Sequence, residues 1–167
     1  MSRASVRHAT ADYLTAAGLP SVGTIYPSPP KISKGGDAYE GLPAGVASGS
    51  VLYVEVLDSH EVREGLGGAG GGKKMVTHML RVHVLFRSKA RDSQDAMDDH
   101  DALIEALLAA LRADRTLGTA TTATPIFQAG EGTAGIKVQS GMPRTSGTGE
   151  TLLWSIADLE ALEFITA

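Results

Sequence analysis

Six of the eight residues from Gly65 to Gly72 are glycine. Each glycine costs a helix about 1 kcal/mol relative to alanine, so no helix runs through this stretch. On either side lies a run with strand character. Ser50 to Glu64 carries Val51, Leu52, Tyr53, Val54, Val56, Leu57 and Val62. Its first half is apolar at successive positions, which predicts burial on both faces. Lys73 to Ser88 sets Leu80, Val82, Val84 and Phe86 against Arg81, His83 and Arg87, the period-two alternation of a half-buried strand. Two such runs around a glycine-rich connection predict a β-hairpin with its tip at 64–73. Sixteen residues at roughly 3.3 Å each span about 50 Å. A domain of this length has a diameter of about 40 Å. The hairpin therefore bends or projects, and a projecting arm needs a partner surface.

The rest of the chain supplies helices and shorter strands. Ser2 to Ala17 places Val6, Ala9, Tyr13, Leu14 and Ala17 on one helical stripe, stopped by Gly18 with Pro20 beyond. Residues 20–49 hold five of the seven prolines and six glycines, which predicts a long flexible loop with a short extended piece at Thr24 to Tyr26. An amphipathic helix starts at a cap supplied by Asp92 or Ser93. It has Asp95, Asp98, Asp99 and Asp101 early, Arg112 and Arg115 late, and a stripe of Ala96, His100, Leu103, Ile104, Leu107, Leu108 and Leu111. Gly118 ends it. After a Thr/Ala linker, 119–124, short strands are expected at Pro125 to Ala129 and Gly135 to Ser140, then a loop from Gly141 to Gly149. Thr151 to Thr166 reads as a long strand, with a helix as the alternative. Its alternation of Leu152, Trp154 and Ile156 lapses at Asp158 and resumes at Leu162 and Phe164, which predicts a bulge near Ala157. This order predicts one α+β domain over 1–167, a mostly antiparallel sheet with two helices packed on one face and a long projecting hairpin.

Composition narrows the function. Fifteen Lys and Arg against nineteen Asp and Glu give a net charge of −4, and no basic cluster with interleaved aromatics is present, which argues against charge-driven nucleic-acid recognition. No apolar run approaches 18 residues and the first residues are amphipathic, so neither a membrane span nor a secretory leader is expected. The absence of cysteine excludes disulfides, thiolate zinc sites and thiol nucleophiles.

Motifs that resemble chemistry fall short of it. Gly67 and Gly72-Lys73 have the separation of a phosphate-binding loop, but Lys74 stands where the magnesium-binding Ser or Thr belongs, and a strand follows where a helix is required. In Asp98-Asp99-His100-Asp101, helical geometry groups Asp98 with Asp101 and turns His100 toward the leucine stripe. His78 and His83 lie five apart in a strand and point to opposite faces. Arg81, His83 and Arg87 form a polar stripe that is either solvated or an interface. Lys31, Lys34 and Arg144 read as solvated loop charges, and Trp154, the one tryptophan, as a core or interface anchor. These readings predict no catalytic residue, no cofactor and no metal site. They leave Arg81, His83, Arg87, Lys73, Lys74 and Arg144 as the candidate interface.

The leading helix Ser2 to Ala17, the turn Tyr26-Pro-Ser-Pro-Pro30, the hairpin arm Leu80-Arg-Val-His-Val-Leu-Phe86, the helix Ser93 to Arg115 and the closing strands through Trp154 to Ile165 together resemble a tail terminator, or tail completion protein, of long-tailed bacteriophages. The resemblance covers most of the chain and rests on element order. It implies a structural virion protein, not an enzyme, assembled in the host cytoplasm as a homo-oligomeric ring of six copies. Such a ring sits on the last ring of tail tube protein, stops tube growth and presents a surface to head-completion proteins in the neck, with DNA passing through it. The mild net acidity suits such a channel. Two other classes stay open at this point: a head-closure connector of the same virion, and a small α+β enzyme or ligand-binding module using His83 and Arg81.

Overall fold

The computed structural model describes residues 2–30, 48–63, 72–89, 93–122, 125–128, 135–145 and 149–166. The glycine-rich tip at 64–71, Lys31, Lys34 and the helix cap at Asp92 lie outside them. The elements are α1 (Arg3–Ala16), β1 (Val22–Tyr26), β2 (Ser48–Arg63), β3 (Lys73–Ser88), α2 (Ser93–Ala113), β4 (Ile126–Gln128), β5 (Lys137–Ser140), β6 (Arg144–Thr145) and β7 (Thr151–Thr166). They form an α+β domain around a seven-stranded sheet ordered β1-β2-β3-β7, with β6, β5 and β4 set along the far edge of β7. Every pairing is antiparallel except that of β1 with β2. The predicted hairpin is β2–β3, and β7 accompanies β3 from Lys73–Thr166 to Ser88–Thr151, so the long arm is three strands wide.

Both helices lie on one face of the sheet, called here the inner face. Alternation sends Leu52, Val54 and Val56 of β2, Leu80, Val82, Val84 and Phe86 of β3, and Leu153, Ala157, Leu159 and Ala161 of β7 to that face. There they meet Val6, Ala11 and Leu14 of α1 and Ala96, Leu103, Ile104, Leu107 and Leu111 of α2. Burying each large side chain stabilises the fold by about 1.5–3 kcal/mol. Ser2 caps α1 by accepting the Ser5 N–H, and the Tyr13 hydroxyl donates to the Ala110 carbonyl at 2.6 Å, tying the two helices together. Past α2, the Asp114 carboxylate accepts from the Thr116 and Gly118 N–H groups, closing a turn in which Gly118 takes φ +76°. A Cβ there would lie 3.3 Å from the Tyr13 Cβ.

Three expectations change. The extended piece expected at Thr24 to Tyr26 is there and begins two residues earlier, as β1, and β2 already starts at Ser48, within the loop expected over 20–49, of which 31–47 lie outside the described residues. The start of the supposed linker packs on the domain: Thr119 is fully buried, and its hydroxyl accepts the Ile126 N–H at 2.9 Å, holding β4 in place. The bulge predicted near Ala157 is absent, because β7 pairs with β3 without a register shift. Leu152, Trp154, Ile156, Asp158, Glu160, Leu162 and Phe164 all share the outer face, and the lapse at Asp158 is an outward carboxylate facing Arg81. The bulge lies instead in β2, at Leu57, between Val56 and Asp58. It reverses the facing of the strand beyond, so Ser59 and Glu61 point inward while Val62 points outward. The Arg3 guanidinium donates to the carbonyls of Val56 and Leu57 and holds the bulge to the start of α1.

Gly141 is required by a close approach. Its N–H donates to the Trp154 carbonyl at 3.0 Å, and the indole lies across it, so that an added Cβ would fall 2.0 Å from Trp154 Nε1. Gly141→Ala is expected to displace the indole and cost about 1–3 kcal/mol, the usual range for overpacking. Emission from the only tryptophan checks this: a red shift with a lower Tm is expected, and unchanged emission and Tm would contradict the placement.

Candidate functional site on the outer face of the sheet

No described helix covers the outer face. Midway along the three long strands, register places Glu55 opposite Arg81, Arg81 opposite Asp158, and Asp158 opposite Lys137 of β5. Four strands thus contribute one row of charges alternating minus, plus, minus, plus. Its centre is a two-pronged pair: Arg81 Nε donates to Asp158 Oδ1 at 2.6 Å, and Nη2 to Oδ2 at 2.8 Å. That hydrogen bond holds the Asp158 carboxyl below its ordinary value, with the charges of Arg81, His83 and Lys137 adding to it. Beside the row, Tyr53 stacks on His83 with ring centroids 4.1 Å apart, and His83 Nε2 lies 3.2 Å from Glu55 Oε2. Cross-strand pairs of this kind stabilise a sheet by roughly 0.2–1 kcal/mol each.

Two apolar patches flank the row. On one side lie the half-buried Leu85 and the exposed Trp154, with Val51 and Ile156 buried beside them; on the other, Met75, Val62, Leu162 and Phe164. Trp154, Val62 and Phe164 are 39%, 39% and 50% exposed.

The structure brings together three of the six residues singled out from sequence. Arg81, His83 and Arg87 share the outer face, and each meets an acidic group of its own chain; Arg87 Nη1 lies 3.9 Å from Glu150 Oε2. Lys73 is exposed at the far end of β3. Lys74 projects from the opposite face and pairs with Glu61 at 2.9 Å. Arg144 is exposed in β6 on the sheet edge, opposite Leu152. Sequence reasoning missed Glu55, Asp158, Lys137 and Tyr53, whose alignment depends on pairing between distant strands.

A second polar group sits on the inner face. Ser59 Oγ lies 2.9 Å from His78 Nδ1, and His78 Nε2 lies 3.2 Å from Glu163 Oε2, with His78 and Glu163 almost wholly buried. Serine, imidazole and carboxylate in series invite comparison with a nucleophilic relay. A relay also needs donors for the developing oxyanion, beginning with the amide of the nucleophile. The Ser59 N–H is instead given to the Asp58 carboxylate at 2.7 Å, which places negative charge where an oxyanion would form. The arrangement ties β2, β3 and β7 together below the start of α1. His78 and His83 occupy opposite faces and His100 is buried, both as expected; His100 Nε2 contacts Ser155 Oγ at 3.1 Å, edge-on to Phe86.

Burial is the largest cause holding the His78, His83 and His100 imidazoles below their ordinary value of 6.5; at His83 the Glu55 carboxylate opposes it. The folded chain keeps these rings neutral at pH values where the unfolded chain protonates them. Their contribution to stability is therefore complete above about pH 6.5 and is lost as pH falls through the folded-state values. Thermal melts from about pH 7.5 to about pH 5 should show a falling Tm, with the slope reduced in His100→Gln. A flat profile would contradict burial of neutral rings.

Among the described residues, one cleft lies between the helices and another reaches the charged row at Lys137 and Asp158. The first, of about 570 Å³, runs between Tyr13, Ala16 and Leu19 on one side and Ala106, Ala109 and Ala113 on the other. The second, of about 550 Å³, lies beside Met79, Ile136, Lys137 and Glu160. His83 lines neither. No protein-family model matches the chain, and no curated protein matches it.

Proposed function

We propose that the chain is a structural virion protein of the tail-terminator kind, forming a ring at the end of a phage tail tube, stopping tube polymerisation and offering the surface on which the head is joined. The observation that carries this reading is the open sheet edge. β1 pairs only with residues 50–53 of β2, so that residues 54–63 have no described strand on that side. The opposite edge is made of three strands of two to four residues. An edge of this length is a template for pairing with another chain, and unlike edges meeting head to tail close a ring. Arg3 occupies the two carbonyls at the bulge, which leaves the stretch beyond Leu57 as the part open to a neighbour. Engagement of Arg81, His83 and the Ser59 amide with groups of the same chain favours a structural role over an enzymatic one.

The test is electron microscopy of particles assembled without this chain. Overlong tail tubes are expected. Free tails of normal length beside leaking heads would overturn the terminator role in favour of a head-closure connector.

A further inference from the structure

We infer that a second copy of the chain docks on the outer face of the sheet, about a twofold axis that runs along the strands between β3 and β7. This contact joins face to face, whereas the proposed ring joins edge to edge, and neither requires the other.

The argument is one of charge. The row Glu55, Arg81, Asp158, Lys137 is minus, plus, minus, plus across four adjacent strands. A twofold axis between β3 and β7 reverses the order of the row in the second copy. Glu55 then faces Lys137 of the second copy, and Arg81 faces Asp158 of the second copy; both contacts occur twice, and all four join opposite charges. A row with like charges at its two ends would meet itself in repulsion. The axis that matches the charges also matches the apolar residues. Leu85 on β3 faces Trp154 of the second copy, and Met75 faces Phe164 of the second copy, because each pair lies in one row on the two strands beside the axis.

The position of the row suits this packing. Two sheets stacked face to face cross at about 30° and lie about 10 Å apart, so side chains match best near the axis and diverge toward the ends. Glu55, Arg81 and Asp158 stand halfway along strands of 16 residues each, where the match is closest. Glutamate and lysine side chains are long enough to meet across that gap. Arg81 and Asp158 already neutralise each other within one chain, so covering them leaves no isolated charge without water. The exposed Trp154, Val62 and Phe164 lose contact with solvent in the same step.

The experiment is native mass spectrometry of the full chain with two single variants, Glu55→Lys and Lys137→Glu. Each makes the ends of the row alike, so each alone should associate at least about tenfold more weakly than wild type, like charges across an interface being costly. Mixed together, the two variants restore opposite charges at both ends, and the mixture should recover wild-type association as mixed pairs. A change that only perturbed one chain's fold would not be rescued by mixing. If Lys137→Glu loses the fold by circular dichroism, Lys137→Gln removes the charge without reversing it and should weaken association severalfold. Trp154 emission gives a second reading: a blue shift with rising concentration in wild type, absent in either variant alone. A wild-type chain that is monomeric at every concentration overturns the proposal, as does unchanged association in both variants or failure of the mixture to recover. Rings that persist in both variants would leave the terminator reading standing while the face-to-face contact fell. Pairs without rings would do the reverse.

Discussion

Leu107→Asp is expected to abolish the fold. Leu107 is fully buried in the stripe of α2 that packs on the inner face of the sheet. Truncating a core leucine costs about 2–5 kcal/mol. Placing a carboxylate there, with no partner, adds a desolvation cost of several kcal/mol or forces the acid to stay protonated. The sum is comparable to the whole stability of a typical domain, about 5–15 kcal/mol. Circular dichroism and a thermal melt should find no cooperative transition at room temperature, with the protein in the insoluble fraction. A soluble variant melting within a few degrees of wild type would show that α2 does not present this face to the sheet.

Glu163→Ala is expected to cost about 3–5 kcal/mol, the usual result of removing one member of a buried polar pair. Glu163 lies within β7 with no solvent exposure, and its carboxylate meets His78 Nε2. Alanine leaves a void beside β4 and an imidazole N–H without this acceptor. Glu163→Gln keeps the volume and an acceptor, so it should recover most of the loss. Urea unfolding of the two variants checks the order: equal destabilisation would mean that charge, and not the hydrogen bond to His78, governs the site.

Much of the architecture is legible from short-range pattern, and what is not depends on pairing at long range. The stripe of α2 and the alternation from Leu80 to Phe86 declare themselves because large apolar residues recur with helix or strand period on the buried side. In β7 that signal misleads. The inner positions hold Leu153, Ser155, Ala157, Leu159 and Ala161, while the outer positions carry the bulkier Trp154, Ile156, Leu162 and Phe164. Hydrophobicity alone therefore points to the wrong side, and Asp158 looks like a break. The bulge at Leu57 shows only as two adjacent apolar residues, Val56 and Leu57, a pattern that a strand buried on both faces also gives. β1 is legible only in part, as the extended piece at Thr24 to Tyr26, because a five-residue strand among prolines gains its full length from parallel pairing with β2.

The candidate site divides in the same way. Alternation along one strand suffices to put Arg81, His83 and Arg87 on one face. Their partners come from three other strands, and Asp158 lies 77 residues from Arg81 in sequence. The charge order that supports the face-to-face pairing exists only once four strands are in register.

The proposed terminator role is tested most directly by arrest of tube growth. Purified chain added to tail tube protein of the same virion during polymerisation, with lengths measured by electron microscopy, should give capped tubes that stop lengthening while free subunits remain. Tubes that grow at the same rate and to the same lengths with and without the chain would contradict the account.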